Sequence, residues 1–268
     1  MTKALNETAL VTGASTGIGA VYADRLARRG YDLILVARDA ARMEALAERL
    51  RAETGRTVEV LRADLTDRTD LAAVEARLAS DPSVTLLINN AGKSMKGTLL
   101  DAEPAEIDDI VALNITAPTR LAGAAVKTFA ARKTGAIVNI ASVLALAPEF
   151  YDGVYSGSKA HLLNLSLSLA HQLKDQGVYV QAVLPGATRT EIWERSGKDV
   201  DSFPPDFVMD VHDLVDAALI GFDRREGVTI PPLADETDWT VMNDARLAMQ
   251  SRLSRSEVAP RYREAVSA

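Results

Sequence analysis

No cysteine occurs in the 268 residues, which excludes disulfides, thiolate nucleophiles and thiolate-bound metals together. Histidine is scarce as well: His161, His171 and His212 are the whole set. His161 and His171 stand ten residues apart in one helical pattern and turn to different faces, so no metal site is expected. An excess of Lys and Arg is also missing. The formal net charge of −7 argues against nucleic-acid partners and anionic membranes. No segment reaches the ~18 uninterrupted apolar residues of a membrane span. The stretch from Met1 to Thr8 carries one lysine and no extended apolar run, so a cytoplasmic protein is expected. Internal repeats, low-complexity tracts and linkers are absent.

What is present is a soluble, globular composition, 47% hydrophobic and 25% charged, able to bury a sizeable core. Short apolar runs rich in β-branched residues alternate with longer, charged segments of helical period. The runs are Ala9–Thr12, Asp32–Ala37, Thr57–Arg62, Val84–Asn89, Ala136–Ala141, Val178–Leu184 and Gly227–Pro231. Strands separated by helices need crossover connections, and right-handed crossovers build a parallel sheet covered on both faces. A doubly wound three-layer α/β sandwich is therefore predicted, with a seven-stranded parallel sheet and about six main helices.

Capping signals place the helices. Asp39 caps Ala40–Thr54 and Gly55 stops it; Asp67 opens Arg68–Ser80, with Pro82 beyond its end. Glu103-Pro104 starts a long pattern to Ala131, with a kink expected at Pro118. The polar, Pro-containing segment 189–210 carries Trp193, Phe203 and Phe207 and reads as a lid or binding loop. A single domain over residues 1–268 is expected, with a C-terminal extension at 232–268 that contains another helix.

The first strand runs into Thr12-Gly13-Ala14-Ser15-Thr16-Gly17-Ile18-Gly19 and an Ala-rich helix. Glycines there let the backbone turn tightly and approach a pyrophosphate, which gains from the helix N-terminus. Such a loop alone is a weak signal; its place directly after the first strand strengthens it. Asn89-Asn90-Ala91-Gly92 closes the fourth strand, Asn114 sits in the next helix, and Ser142 ends the fifth strand. Tyr155-Ser156-Gly157-Ser158-Lys159 opens a further helix, and Pro185-Gly186-Ala187-Thr188-Arg189-Thr190 follows the sixth strand. Taken singly, each of these is better read as a cap, a turn or a solvated helix position. Their combination, in this order and context, is what carries weight.

The T-G-x-x-x-G-I-G loop, N-N-A-G, the Ser–Tyr–Lys set and P-G-x-x-x-T resemble the short-chain dehydrogenase/reductase family over roughly residues 8 to 231. The resemblance implies a Rossmann-type fold and an oxidoreductase that moves hydride between a nicotinamide and a carbonyl or alcohol carbon. It implies roles that the residues have physical reason to fill. Tyr155 is the general acid and base; a Tyr hydroxyl has a pKa near ~10 and needs help to act as a base. Lys159, one helical turn along the same face, would lower that pKa together with the oxidised nicotinamide. Ser142 donates to the substrate oxygen, and Asn114 holds a water linking Lys159 to solvent.

For the cofactor, the resemblance implies contacts from Gly13, Ser15, Thr16, Gly17, Ile18 and Gly19 in the glycine loop. Asp64 and Leu65 lie at the adenine, and Asn90, Ala91 and Gly92 near the ribose. Tyr155 and Lys159 touch the cofactor as well; Thr190 reaches the nicotinamide carboxamide, with Pro185, Gly186 and Thr188 beside it. Asp64 could equally cap a turn, and Asn89–Asn90 could be turn residues. At the end of the second strand, where NAD-binding members carry an acidic residue, this chain has Ala37, and Arg38 follows. A guanidinium grips a phosphate with two parallel hydrogen bonds, so NADP(H) is the expected cofactor. A local ion pair of Arg38 with Asp39 is the bland alternative.

Ser94, Leu144, Phe150, Tyr151, Trp193, Phe203 and Phe207 are the candidate substrate contacts, and their aromatics fit a moderately bulky apolar ketone or aldehyde. Lid packing is the competing reading. Gly157 stands where the family often has Ala, and Pro232 follows the last strand where tetrameric members are glycine-rich, which leaves their C-terminal assembly in doubt. The resemblance implies that Glu103–Ala131 and Tyr155–Lys174 pack against their counterparts across a two-fold axis, which their small residues would permit, so a homodimer or homotetramer is expected. The rival functions are a catabolic dehydrogenase of the same fold and a non-catalytic nucleotide sensor. A methyltransferase would leave the Ser–Tyr–Lys set unexplained.

Overall fold

Runs of Val, Ile and Leu form seven strands: β1 Thr8–Thr12, β2 Asp32–Ala37, β3 Val58–Arg62, β4 Val84–Asn89, β5 Gly135–Ile140, β6 Val178–Val183 and β7 Val228–Thr229. The computed structural model describes residues 7–263, so parts of the N-terminal stretch and of the C-terminal extension lie outside the described residues. All neighbouring strands pair in parallel, in the order β3-β2-β1-β4-β5-β6-β7. The chain reverses its winding between β1 and β4. In open sheets of this kind the crevice beyond the carboxyl ends of the strands at that switch point is the natural ligand site.

Helices α1 Gly17–Arg28, α2 Ala40–Thr54 and α8 Val211–Asp223 cover one face of the sheet, where Leu26, Met43, Leu50 and Leu214 join one buried core. Helices α3 Arg68–Ser80 and α5 Ala117–Arg132 cover the other face with the end of α6 Gly153–Leu173, through Leu71, Leu78, Leu121, Phe129 and Leu173. Two cores flanking one sheet make the expected Rossmann-type three-layer sandwich. Among the described residues no helix is long and apolar enough to cross a membrane.

Local chemistry sets the ends. The Asp39 carboxylate accepts from the Arg42 amide at 3.0 Å and Gly55 ends α2 in the left-handed region at φ 67°. Asp67 accepts from the Thr69 and Asp70 amides at the start of α3. Asp152 accepts from the Tyr155 amide at 2.7 Å, so α6 starts two residues before Tyr155 rather than at it.

Three expectations are corrected in detail. The last strand keeps only Val228–Thr229, because Pro231 and Pro232 have no amide to donate to a ladder. The long pattern from Pro104 is not one kinked helix. α4 Pro104–Val111 passes into a widened π turn, Ala112–Thr116, and then into α5. The Ala117 amide reaches back to the Ala112 carbonyl, and Pro118, lacking an amide, cannot close a regular turn on Asn114. The segment 189–210 is not structureless: it holds the short helix α7 Ile192–Arg195 and two further turns. Its ends are tied together, since Met209 donates to the Ala187 carbonyl and Arg189 donates to the Met209 carbonyl.

The chain divides into two units, Met1–Pro232 and Leu233–Ala268. The second contains α9 Glu236–Ala248, whose first turn is capped by Asp235 accepting from the Thr237 amide at 2.8 Å.

Candidate active site

Ser142, Tyr155 and Lys159 meet at the carboxyl end of β5. Ser142 follows that strand and is buried; its hydroxyl accepts from the Leu144 amide at 3.2 Å. Tyr155 lies in the first turn of α6, placed there by the Asp152 cap. Lys159, one turn later, is 5% exposed and donates to the Ile140 carbonyl at 2.9 Å, its ammonium 5.5 Å from the centre of the Tyr155 ring. The strand end and the helix start thus hold the hydroxyl, the phenol and the ammonium as one group.

Their electrostatics differ from expectation. Burial pushes the Tyr155 phenol above its ordinary value, Tyr151 and Asp152 add to this, and the Ser142 hydroxyl acts in the opposite direction. Burial lowers Lys159 from 10.5 to about 8. The expected depression of Tyr155 is thus absent in the protein alone. The Lys159 ammonium is turned to the Ile140 carbonyl. Protonated Tyr155 is the form that serves reduction.

Asn114 is 1% exposed and sits in the π turn. Its side chain accepts from the Lys93 amide at 3.0 Å and donates to the Lys93 carbonyl at 2.8 Å and the Ser158 hydroxyl at 3.1 Å. It clasps the loop after Asn90-Ala91-Gly92 to α6. A Cβ at Gly92 would stand 3.4 Å from the Asn114 oxygen and 3.5 Å from the Lys159 nitrogen, so this loop lies directly against both.

The glycine loop is locked from below. The Thr12 hydroxyl accepts from the Asn90 and Ala91 amides, and the Asn90 side-chain amide donates to the Thr12 carbonyl at 2.8 Å and that of Gly13 at 3.3 Å. Asn90 therefore holds the loop. Gly13 has φ +66°, and a Cβ at Gly19 would come within 2.3 Å of the Gly13 carbonyl oxygen. Ser15, Thr16, Gly17 and Ile18 stay partly exposed around the start of α1. Thr16 makes no side-chain cap there and the first turn carries no acid, whereas α2, α3, α6, α8 and α9 each have an Asp cap. The free amides of α1 suit a pyrophosphate.

The remaining cofactor candidates follow the carboxyl ends of β2, β3 and β6. Arg38 is exposed at the end of β2, 3.9 Å from Asp64, while Asp39 is occupied in capping α2. Asp64 accepts from the amide and hydroxyl of Thr66, a turn contact; burial raises its carboxyl but these bonds and Arg38 bring it below its ordinary value. Leu65 and Pro185 are buried, and Thr188 donates to the Gly186 carbonyl at 3.0 Å. Thr190 faces Gly17, where a Cβ would come within 3.2 Å of it. A bridge that sequence reasoning missed closes this side. The Glu191 carboxylate accepts from Arg42 of α2 at 2.8 Å and from Arg195 of α7 at 2.7 Å, and Arg195 also reaches the Thr16 hydroxyl at 3.4 Å.

The substrate candidates separate into groups. Ser94 and Tyr151 share a hydrogen bond of 2.7 Å, and the Tyr151 ring packs edge-on against Tyr155 with centres 5.6 Å apart. Trp193, Phe203 and Phe207 form a chain of rings, and the Trp193 indole donates to the Thr188 carbonyl at 2.7 Å. Leu144 is partly exposed beside Ser142. Phe150 is not gathered in: it is 82% exposed and takes part in no ring contact among the described residues. Lys198, which the sequence did not single out, donates to the Tyr151 hydroxyl. Its spacing from Tyr151 carries no periodic signal.

The family model described as short chain dehydrogenase matches residues 7–201. A short-chain dehydrogenase from Sphingobium yanoikuyae, solved in complex with NADPH, is 53% identical; the match covers 96% of this chain and 100% of that one, with a TM-score of 0.94. The bulky-bulky ketone specific alcohol dehydrogenase from Comamonas testosteroni is 49% identical over 97% of this chain and 99% of its own, with a TM-score of 0.89. Among curated proteins, a very-long-chain 3-oxoacyl-CoA reductase from Podospora anserina is 38% identical over 66% of this chain, and 17-beta-hydroxysteroid dehydrogenase type 3 from Homo sapiens is 32% identical over 70%. The matches span 53% and 61% of the length of these two relatives.

Proposed function

The chain belongs to the short chain dehydrogenase family, and from that premise we propose that it is an NADP(H)-dependent oxidoreductase reducing ketones or aldehydes to alcohols, reversibly. The observation that carries the reading is the convergence of Ser142, Tyr155 and Lys159 beside the locked glycine loop. The bound dinucleotide supplies or accepts the hydride. The uncapped start of α1 binds its pyrophosphate, and Arg38, with no carboxylate at position 37, binds the additional phosphate of NADP(H).

Ser142 donates a hydrogen bond to the substrate oxygen and holds the carbonyl beside the phenol. Tyr155 gives its proton to the developing alkoxide in reduction and takes it back in oxidation. The elevated phenol keeps that proton at neutral pH until the oxygen becomes basic enough to take it. Lys159 stabilises the phenolate left behind. Asn114 fixes the loop that passes over the lysine.

The Trp193–Phe203–Phe207 chain supports a bulky apolar ketone, in keeping with the substrate preference named for the Comamonas enzyme. A panel of bulky and small ketones assayed with NADPH tests the activity. Tyr155→Phe tests the mechanism: turnover falls ~10²–10⁴-fold while NADPH affinity, measured by fluorescence titration, stays near wild type. Turnover by the wild type that Tyr155→Phe leaves intact overturns the role of the phenol.

A further inference from the structure

Lys198 occupies a position that the reduction chemistry does not use. It follows the end of α7, where Gly197 adopts φ +70° and the Lys198 amide bonds back to the Trp193 carbonyl at 2.9 Å. This reversal aims the side chain inward. The half-buried ammonium donates to the Tyr151 hydroxyl and lies 3.4 Å from the Met95 carbonyl. Tyr151 in turn shares its 2.7 Å bond with Ser94, whose hydroxyl is 3.4 Å from the same Met95 carbonyl. The cations around it have carboxylates: Lys93 has Asp109, Arg189 has Asp201 and Arg195 has Glu191. Among the described residues, no carboxylate lies within ion-pair distance of Lys198.

The ammonium carries three hydrogens, and the hydroxyls of Tyr151 and Ser94 carry one each. They share the oxygens of Tyr151, Ser94 and Met95. This donor-rich group stands one aromatic ring from Tyr155, since the Tyr151 ring packs against that of the proton donor at 5.6 Å. The group thus lies beside the residue that protonates the substrate oxygen.

We propose that Lys198, with Tyr151 and Ser94, forms a specificity site that binds a second acceptor oxygen of the substrate, so that the preferred ketones are oxygenated ones such as vicinal diketones or oxo acids. The proposal rests on the carbonyl-reductase reading above. It adds which ketones the site selects.

The test compares kcat/KM with NADPH for propiophenone, its vicinal diketone phenylpropanedione, and benzoylformate. Each is measured with wild type, Lys198→Met, Lys198→Arg and Tyr151→Phe. The intrinsic reactivity of each ketone cancels when the ratio to propiophenone is compared between variants. Hydrogen bonds from a charged donor are strong enough that Lys198→Met lowers at least one of the two ratios about tenfold or more. Lys198→Arg restores most of it, and Tyr151→Phe lowers the ratio in the same direction. A greater fall for benzoylformate assigns the site to a carboxylate, and a greater fall for phenylpropanedione assigns it to a neutral carbonyl. Both ratios unchanged in Lys198→Met, including an equal loss on all three ketones, overturns the proposal and leaves Lys198 a structural tie. Failure of the wild type to reduce any of the three ketones would instead count against the carbonyl-reductase reading itself.

Discussion

Lys159 keeps an ammonium among protein atoms, with the Ile140 carbonyl as its hydrogen-bond partner. Its shift from 10.5 to about 8 means that folding disfavours the charged form. Below pH 8 the lysine is protonated in both states and the native protein bears the full penalty, about 3 kcal/mol by the usual conversion. Between about pH 8 and 10.5 the unfolded chain binds more protons, so this contribution to stability improves as pH rises. Lys159→Met removes the penalty and also loses the bond to Ile140, worth about 1 kcal/mol. Urea unfolding without dinucleotide should show the variant about 1–2 kcal/mol more stable at pH 7, with the gain shrinking toward pH 10.5. It should also be inactive. A variant less stable at every pH would show that the ammonium is better solvated than its surroundings imply.

Arg38 is the residue on which cofactor choice turns. It is 70% exposed, and among the described residues its one carboxylate within ion-pair distance, Asp64, stands 3.9 Å away, so the guanidinium is open to a phosphate. Arg38→Ala should weaken NADPH use about 10- to 100-fold and leave NADH use nearly unchanged, because NADH has no phosphate to lose there. Adding Ala37→Asp should reverse the preference. Steady-state kinetics with both cofactors reads this directly, and equal losses with the two would remove Arg38 from the phosphate site.

Among the elements, the segment between Ala187 and Met209 is closed at its base and packed by its own rings, and Glu191 and Lys198 tie it to α2 and Tyr151. Trp193 is its anchor, through the indole bond to the Thr188 carbonyl. Trp193→Ala should alter KM or kcat unequally across ketones of different bulk, with large substrates affected most. If all ketones respond alike, the ring chain is packing and nothing more. The π turn is the other informative element. It widens the helix where Asn114 must face both Lys93 and α6, and it does so one turn before a proline.

For the whole molecule, α5 and α6 lie on one face of the sheet, and α5 carries small side chains outward. Gly123 is exposed there, and a Cβ would meet nothing within 4 Å. Such a stripe allows helices of two protomers to approach closely about a two-fold axis. We expect a homodimer or homotetramer by light scattering at micromolar concentration. Gly123→Arg, which the protomer accommodates sterically, should shift the population toward monomer. Monomeric wild type would exclude this packing.

Features that depend on neighbouring residues were legible in the sequence. Strand periodicity, the Asp39 and Asp67 caps and the glycine loop could be read because their physics acts within a few residues. The four-residue spacing of Tyr155 and Lys159 could be read because a helix turns that far and no farther. The order of motifs along the chain set the sheet and the side of it on which the site lies. Tertiary structure decided what depends on distant pairs. Only the assembled fold brings Asn90 under Gly13, joins Arg42 to Glu191 and delivers Lys198 to Tyr151. It also decided the charge states, since the burial that raises Tyr155 and lowers Lys159 is a property of packed surroundings, with no local pattern to announce it.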